Sequence, residues 1–346
     1  MTYLGPAQRC CSLCGAEGRL LHEGLDDRLF EVVGRWSLRE CEACGLVWRD
    51  PFPAPEDIAS YYADYYTHDD PDEASLLHRV LKRGVPAAAL GYADVPVTTA
   101  ERQLGRIAGW IGPLRELAAR SIMDLPAESR GRLLDVGCGS GAFLVRMRRL
   151  GWDVSGLEPD PKAARVARAA LPGADVRCAQ IEEAGFEPGS FAAVTLSHVI
   201  EHVLDPVETL RFVGGLLEPG GRLMLATPNS RSLGARRFGP HWLGWDPPRH
   251  LHLFHRENLS RAVERAGLRV KSVHTPSSSG YFIWQASRLI ERNGRLPGVD
   301  LASGSLALKL RGLGFWGRAY LGAVAGADCG EELLLAAERT PVAGPG

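Results

Sequence analysis

The rhythm of hydrophobic and polar positions changes near residue 131. From there, short apolar runs alternate with stretches of helical period. Arg132–Val136, Asp153–Leu157, Asp175–Cys178, Phe191–Leu196, Arg222–Ala226 and Arg269–His274 read as six strands. Ala142–Leu150, Pro161–Ala170, Asp205–Leu217 and Leu259–Ala266 read as helices between them, with Glu332–Glu338 as a last strand. Such alternation predicts an α/β chain: a doubly wound, mostly parallel sheet with helices on both faces. Before residue 131 the pattern is looser. Phe30-Glu31-Val32-Val33 is β-prone, Tyr61, Tyr62, Tyr65 and Tyr66 crowd one short stretch, and Thr99–Met123 is the clearest amphipathic helix. Residues 281–327 break the alternation with a Gly-rich apolar segment, including Leu301–Leu308 and Phe315-Trp316, interrupted by Lys309, Arg311 and Arg318. Two short amphipathic helices packed on the core is the reading adopted there; contact with a membrane surface is the alternative.

This organisation divides the chain at 1–55, 56–125 and 126–346, the 281–327 segment being an insertion in the last part. A length of 346 residues suits one medium domain with a smaller one, and 45% apolar residues are enough for a core. Lys and Arg number 40 against 41 Asp and Glu, so the chain lacks the electrostatic footprint of a nucleic-acid binder. The first residues show no charged-then-apolar leader pattern, and no uncharged apolar run approaches a membrane span. The expected location is the cytoplasm.

In that compartment, cysteines at Cys-x-x-Cys spacing point to metal rather than to disulfides. Cys11-Ser12-Leu13-Cys14-Gly15 and Cys41-Glu42-Ala43-Cys44-Gly45 are two near-identical knuckles. Two such pairs complete a tetrahedron of thiolates around Zn2+, and a closed four-thiolate site is structural rather than catalytic. Cys10 reads as a spare that could replace Cys11.

Asp135-Val136-Gly137-Cys138-Gly139-Ser140-Gly141 stands where a strand meets a helix. Glycines there permit a tight turn and close approach of a ligand, and the helix start offers free N–H groups. The next strand ends in Leu157-Glu158-Pro159-Asp160, where a carboxylate can accept two ribose hydroxyls. With residues 190–203 and the Glu-Pro-Gly-Gly-Arg-Leu turn at 218–223, these motifs resemble the class I, seven-strand S-adenosylmethionine-dependent methyltransferases over residues 126–346. The resemblance implies a Rossmann-like sheet of seven strands, the last one antiparallel. It implies that Asp135, Gly137, Cys138, Gly139, Gly141 and Glu158 hold the cofactor. It also implies that Gln180 and Ile181 flank the adenine and that Ser197 or His198 touches the methionine end. Many members carry an acid where Gln180 stands; an amide can still pair with the adenine edge. The paired knuckles look like the zinc module ahead of some sugar-modifying methyltransferases, and a similar module precedes some ribosomal-RNA methyltransferases.

His198, Glu201 and His202 fall in the turn between a strand and the helix begun by Asp205-Pro206. An acid-x-x-Glu-His motif binds a divalent ion in quinone and small-RNA O-methyltransferases; here His198 stands at the first position, and the expectation is chemistry without a catalytic metal. His241–Phe254, with Trp242 and Trp245, resembles a signature in one branch of the same family. If residues 249–254 are extended, His250 and His252 face the cleft while Leu251 and Leu253 pack. His250 is then the first choice for the base that removes an acceptor proton, ahead of His252 and His198. The expected function is methyl transfer to an oxygen or carbon of a sugar, glycolipid or secondary metabolite. An RNA methyltransferase holding RNA with its zinc module, and a non-catalytic S-adenosylmethionine-binding protein, are the alternatives.

Overall fold

The computed structural model describes residues 8–62, 75–296 and 305–340; Tyr65, Tyr66 and the start of the apolar stretch at 301 lie outside them. The elements in chain order are β1 (Gly18–Leu25), β2 (Trp36–Cys41), β3 (Val47–Asp50), α1 (Leu76–Arg79), α2 (Val85–Ala89), α3 (Thr99–Trp110) and α4 (Gly112–Ser121). Then come β4 (Arg132–Val136), α5 (Ala142–Arg149), β5 (Asp153–Leu157), α6 (Pro161–Ala170), β6 (Asp175–Arg177), β7 (Phe191–Ser197), α7 (Pro206–Leu216) and β8 (Leu217–Pro228). The chain continues through α8 (Leu233–Phe238), β9 (His252–Leu253), α9 (Arg256–Arg265), β10 (Leu268–His274), α10 (Gly280–Asn293), α11 (Leu306–Val324) and β11 (Glu332–Arg339).

Seven strands form one sheet in the order β10-β11-β8-β7-β4-β5-β6. The pairs β8–β7, β7–β4, β4–β5 and β5–β6 are parallel, and β11 runs antiparallel between β8 and β10. The Rossmann-like seven-strand architecture expected from the sequence is the one found. Leu133, Leu134, Val136, Val194, Leu196, Leu223 and Leu225 are buried, as strands covered on both faces must be. The order reverses between β4 and β7, so their carboxyl ends open the crevice where such sheets bind ligands.

A second, four-stranded sheet reads β1-β2-β3-β9. Its first three strands come from the N-terminal segment, and the fourth comes from residues 252–253, paired antiparallel with Val47 and Trp48. The boundary expected at residue 55 is therefore crossed by a hydrogen-bonded strand pair.

Three local expectations differ from what is observed. Phe30–Val33 is loop rather than strand, because the Asp27 carboxylate accepts the N–H groups of Leu29, Phe30 and Val32 and curls the chain. The expected helix Thr99–Met123 is two helices. Pro113 lacks an N–H and would clash in a continuous helix, so the chain extends at Ile111 (φ −88°, ψ 103°) and restarts. The 281–327 helices are longer than expected, 14 residues in α10 and 19 in α11.

Candidate active site

The glycine loop joins β4 to α5. Gly137, Gly139 and Gly141 have φ of 71°, 54° and 81°, a left-handed region that side chains resist. The N–H groups of Gly137 and Cys138 donate to the Leu157 carbonyl at 2.8 and 3.0 Å, fastening the loop to the end of β5. Glu158 follows immediately and is 7% exposed. Its Oε2 accepts from Gly139 N at 2.8 Å and its Oε1 from Asp160 N at 2.9 Å. Burial raises its pKa, which these two N–H groups oppose. Asp135, on β4 beneath the loop, accepts from the Thr195 hydroxyl at 2.6 Å; burial pushes its carboxyl up to about 7. Burial likewise pushes the Cys138 thiol up, so it is not a nucleophile. Gln180 is exposed and Ile181 buried where the chain leaves β6. Ser197 closes β7, and its Oγ lies 3.4 Å from the Arg120 guanidinium.

Past β7 the backbone turns left-handed at His198 (φ 55°). Its Nδ1 lies 3.0 Å from Glu201 Oε1 and its Nε2 3.4 Å from Glu332 Oε1. Burial alone would lower the imidazole; the two carboxylates outweigh it and push the ring up to about 10. The two carboxylates favour the protonated ring, which sets His198 behind His250 as a candidate base. Arg120 of α4 also holds Glu332, at 2.7 Å. Glu201 is fully buried, and its other oxygen accepts from the Thr227 hydroxyl at 2.9 Å. Burial would raise its carboxyl, but His198 outweighs that and holds it down at about 2.

His250 does not sit on a strand. Asp246 has φ 31°, and the N–H groups of Arg249 and His250 both return to its carbonyl, so residues 246–250 form a turn. His250 nevertheless reaches the cleft with His198. Leu29, Pro228, Trp242, Leu243, Asp246, Ile283, Glu331 and Glu332 complete the lining. The ring Nδ1 lies 2.8 Å from the Gly244 carbonyl, so Nδ1 carries the proton and Nε2 keeps its lone pair. Burial lowers its pKa to about 4. His202 is arranged alike, with Nδ1 3.0 Å from the Arg249 carbonyl, and burial also lowers it to about 4. The His202 and His250 rings meet edge to face at 4.8 Å. Ligand atoms of Glu201, His202 and His250 all lie within 4.8 Å of one another.

His252 is placed elsewhere. It belongs to β9, opposite Trp48, with its Nε2 3.3 Å from Ser12 Oγ and its ring 5.3 Å from that of Phe52. The period-two argument fails because only residues 252–253 are extended, and they pair with the N-terminal sheet. His252 is a packing residue of that sheet and not a base.

The four knuckle cysteines converge. Cys11 and Cys44 sulfurs are 3.6 Å apart, Cys14 and Cys41 sulfurs 3.4 Å, and all four lie within 4.8 Å. A tetrahedron with metal–sulfur bonds of about 2.3 Å has edges of about 3.8 Å, so the set fits a zinc ion. Gly15 and Gly45 adopt φ of 79° and 69° and turn each knuckle. Cys10 is exposed and bridges Glu17, outside the cluster.

The sequence reading missed four residues of this region. Arg120, Glu331 and Glu332 gave no signal, because each acquires its place through contacts distant in the chain, whereas Asp246 meets its near neighbours Arg249 and His250 and was passed over inside the 241–254 signature. Glu331 is 1% exposed and accepts from Ser232 Oγ, Gly234 N and Trp242 Nε1 at 2.9, 2.7 and 2.9 Å; burial pushes it up to about 7.

The family model of a methyltransferase domain matches residues 111–273. A ubiquinone biosynthesis O-methyltransferase of Xanthomonas campestris pv. campestris (strain B100) is 42% identical over 103 residues, 28% of this chain and 43% of that one. The protein of the same description from Xanthomonas oryzae pv. oryzae (strain PXO99A) is 41% identical over 126 residues, 34% of this chain and 51% of that one. The chain thus spans about half the length of the curated relatives it matches. Among solved structures, geranyl diphosphate C-methyltransferase from Streptomyces coelicolor A3(2) superposes with TM-score 0.47 at 18% identity, over 83% of this chain and 99% of that one. The stretch similar to a methyltransferase domain, residues 111–273, contains the glycine loop, Glu158, His198 and His250; Leu29, Ile283, Glu331 and Glu332 of the cleft lie outside it.

Proposed function

We propose that the chain transfers a methyl group from S-adenosylmethionine to an oxygen or carbon of a small-molecule acceptor such as a sugar, glycolipid or secondary metabolite. Residues 126–346 form the catalytic unit, 56–125 its helical cap, and 1–55 a module built on structural zinc held by Cys11, Cys14, Cys41 and Cys44. One observation carries the reading. The Glu158 carboxylate is drawn over the glycine loop at the carboxyl edge of the sheet, and each of its oxygens retains acceptor capacity for a ribose hydroxyl. When bound there, S-adenosylmethionine supplies a methyl group on a positively charged sulfur.

The chain's own groups do the rest. Asp135, Gly137, Cys138, Gly139 and Gly141 shape the cradle, Gln180 and Ile181 border the adenine, and Ser197 and His198, with Arg120 behind them, face the methionine end. Leu29, Trp242, Leu243 and Ile283 wall the acceptor from water, which makes alignment of acceptor and methyl the main source of rate. His250 Nε2, deprotonated at cellular pH, accepts the acceptor's proton as the new bond to the methyl carbon forms.

Calorimetry with S-adenosylmethionine and with NAD tests this. Binding of the first and not the second is expected, and Glu158→Ala weakens it by about 1–3 kcal/mol, the weight of a charged acceptor. Equal affinity in variant and parent would remove Glu158 from the site.

A second reading is favoured by the convergence of Glu201, His202 and His250 within 4.8 Å. Both imidazoles give their Nδ1 proton to backbone carbonyls, the orientation that metal-binding histidines adopt. A divalent ion would fit these three residues, and His250 would then be a ligand rather than the base. Turnover that falls on chelation and returns with added magnesium or manganese decides for this reading.

A further inference from the structure

We propose that α11 is a docking face for an anionic lipid surface. Its exposed apolar residues, Leu306, Leu310, Leu313, Leu321 and Val324, are spaced four, three, eight and three apart, with Gly317 in the long gap. That spacing puts all of them on one side of a 3.6-residue helix along its whole length. Leu306, Leu321 and Val324 are 73%, 67% and 69% exposed. The opposite side is accounted for. Gly312 lies against Tyr281 and Trp284, Ala319 is buried, and Leu308 and Phe315 pack into the cluster around Trp242, Trp245 and Trp284. The outward stripe is therefore not the face that holds α11 to the molecule, and it is apolar where a solvated helix would be polar.

The neighbourhood extends the stripe. Gly112, at the start of α4, abuts the Tyr320 hydroxyl. The α3–α4 junction thus lies beside the C-terminal half of α11, and there Trp110 is 88% exposed and Ile111 half-exposed. An indole at the edge of an apolar strip suits the boundary between headgroups and acyl chains.

Charge selects the occupant. The exposed polar side chains of α11 include Lys309, Arg311 and Arg318, and the helix holds no acid. Arg311 and Arg318 fall on one flank of the stripe and Lys309 on the other. A second copy of this helix would bring cations against cations with no carboxylate to meet them. An anionic bilayer meets all three, and the leucines enter to the depth of the headgroup boundary. No helix among the described residues is long and apolar enough to cross a membrane, so α11 lies flat in the interface.

The test is flotation of the full chain with vesicles of phosphatidylcholine alone and of phosphatidylcholine with phosphatidylglycerol. Three cations near the surface predict a preference for the anionic vesicles on the order of 100-fold at low salt, reduced at high salt. Leu310→Gln with Leu313→Gln and Leu321→Gln should abolish flotation. Circular dichroism and S-adenosylmethionine binding check that this variant keeps its fold. Lys309→Glu with Arg311→Glu and Arg318→Glu should remove the anionic preference with the apolar stripe intact. A parent protein that stays at the bottom of the gradient with both vesicles overturns the proposal. So does a dimer in sedimentation that the glutamine variant dissolves, since a second copy would then be the occupant. Flotation is read without methyl transfer, so its result is independent of the proposed activity.

Discussion

Arg249 carries the sharpest test of how the N-terminal segment and the cleft are joined. Its side chain is fully buried between two carboxylates. Nη1 and Nη2 reach Asp27 Oδ2 and Oδ1 at 2.8 and 2.7 Å, while Nε and Nη2 reach Asp246 Oδ2 and Oδ1 at 3.0 and 2.5 Å. The guanidinium also covers the Phe30 ring at 4.7 Å. Arg249→Met keeps most of the volume and leaves two buried carboxylates uncompensated, a change that typically costs about 3–5 kcal/mol. Asp27 retains the N–H groups of Leu29, Phe30 and Val32, which places the cost toward the lower end. At roughly 2 °C per kcal/mol for a large chain, the melting midpoint falls by about 6–8 °C.

The pH dependence gives this prediction its sign. Burial would raise the Asp27 carboxyl, but its bonds to Arg249 and to backbone N–H groups outweigh burial and lower it. In the parent, its contribution is present above the unfolded value near ~3.9 and is lost as pH falls through the folded value. In Arg249→Met the two carboxylates are buried without their cation, so Asp27 rises above its unfolded value and Asp246, which burial already raises in the parent, rises further. The penalty relative to the parent is then full at pH 7 and shrinks as pH falls through the raised values. Scanning calorimetry of both proteins from pH 8 to pH 5 reads this directly. A midpoint loss under about 2 °C, or one that does not change with pH, refutes the claim that Arg249 neutralises two buried charges.

Two further outcomes are expected. His250→Ala lowers turnover by about 10²–10⁴-fold with cofactor affinity nearly unchanged. Because burial lowers this imidazole to about 4, the acidic limb of the parent's pH–rate profile is expected below ~6.5; a limb that persists unchanged in His250→Ala contradicts His250 as the base. Elemental analysis finds one zinc per chain and none after Cys14→Ser with Cys44→Ser; a parent without zinc sinks the four-thiolate assignment.

What could be read from the sequence was what depends on neighbours in the chain. The strands at 132–136, 153–157, 191–197 and 268–274 are apolar runs between helical periods, and the structure starts and ends them within a residue or two of the pattern. The glycine loop and Glu158 were legible because a strand, a turn and a helix start follow one another within 27 positions of the fold's most local unit, residues 132–158. The knuckles were legible because each pair sits three residues apart. The cleft was not. Arg120 meets Glu332 across 212 positions and Arg249 meets Asp27 across 222, and nothing local marks either. His250 reached the cleft for a reason other than the one expected: a turn at Asp246 aims it, where alternation along a strand had been assumed. The same assumption misplaced His252, which β3 draws away from the cleft.

That misplacement shows what the N-terminal module is for in physical terms. Residues 246–250 carry His250, the proposed base, and the Asp246 carboxylate, yet they lie in a turn, which alone would be mobile. They are held from both sides. Downstream, Leu253 and His252 pair with Val47 and Trp48 in the second sheet. On the facing side, Asp27, in the loop after β1, grips Arg249, and the adjoining Leu29 lines the cleft itself. Strand β2 of that second sheet ends at Cys41, one of the four cysteines, and the knuckle carbonyl of Cys44 lies 3.0 Å from His255 Nε2, just beyond β9. A zinc ion in the cysteine cluster would therefore stiffen the strand that positions the base, although it lies outside the chemistry. Partial removal of zinc should then lower turnover in step with loss of order at residues 246–254, measured by hydrogen exchange, while S-adenosylmethionine affinity at the glycine loop holds. Protection at 246–254 that survives zinc loss would leave the module as a separate attachment with no part in shaping the cleft.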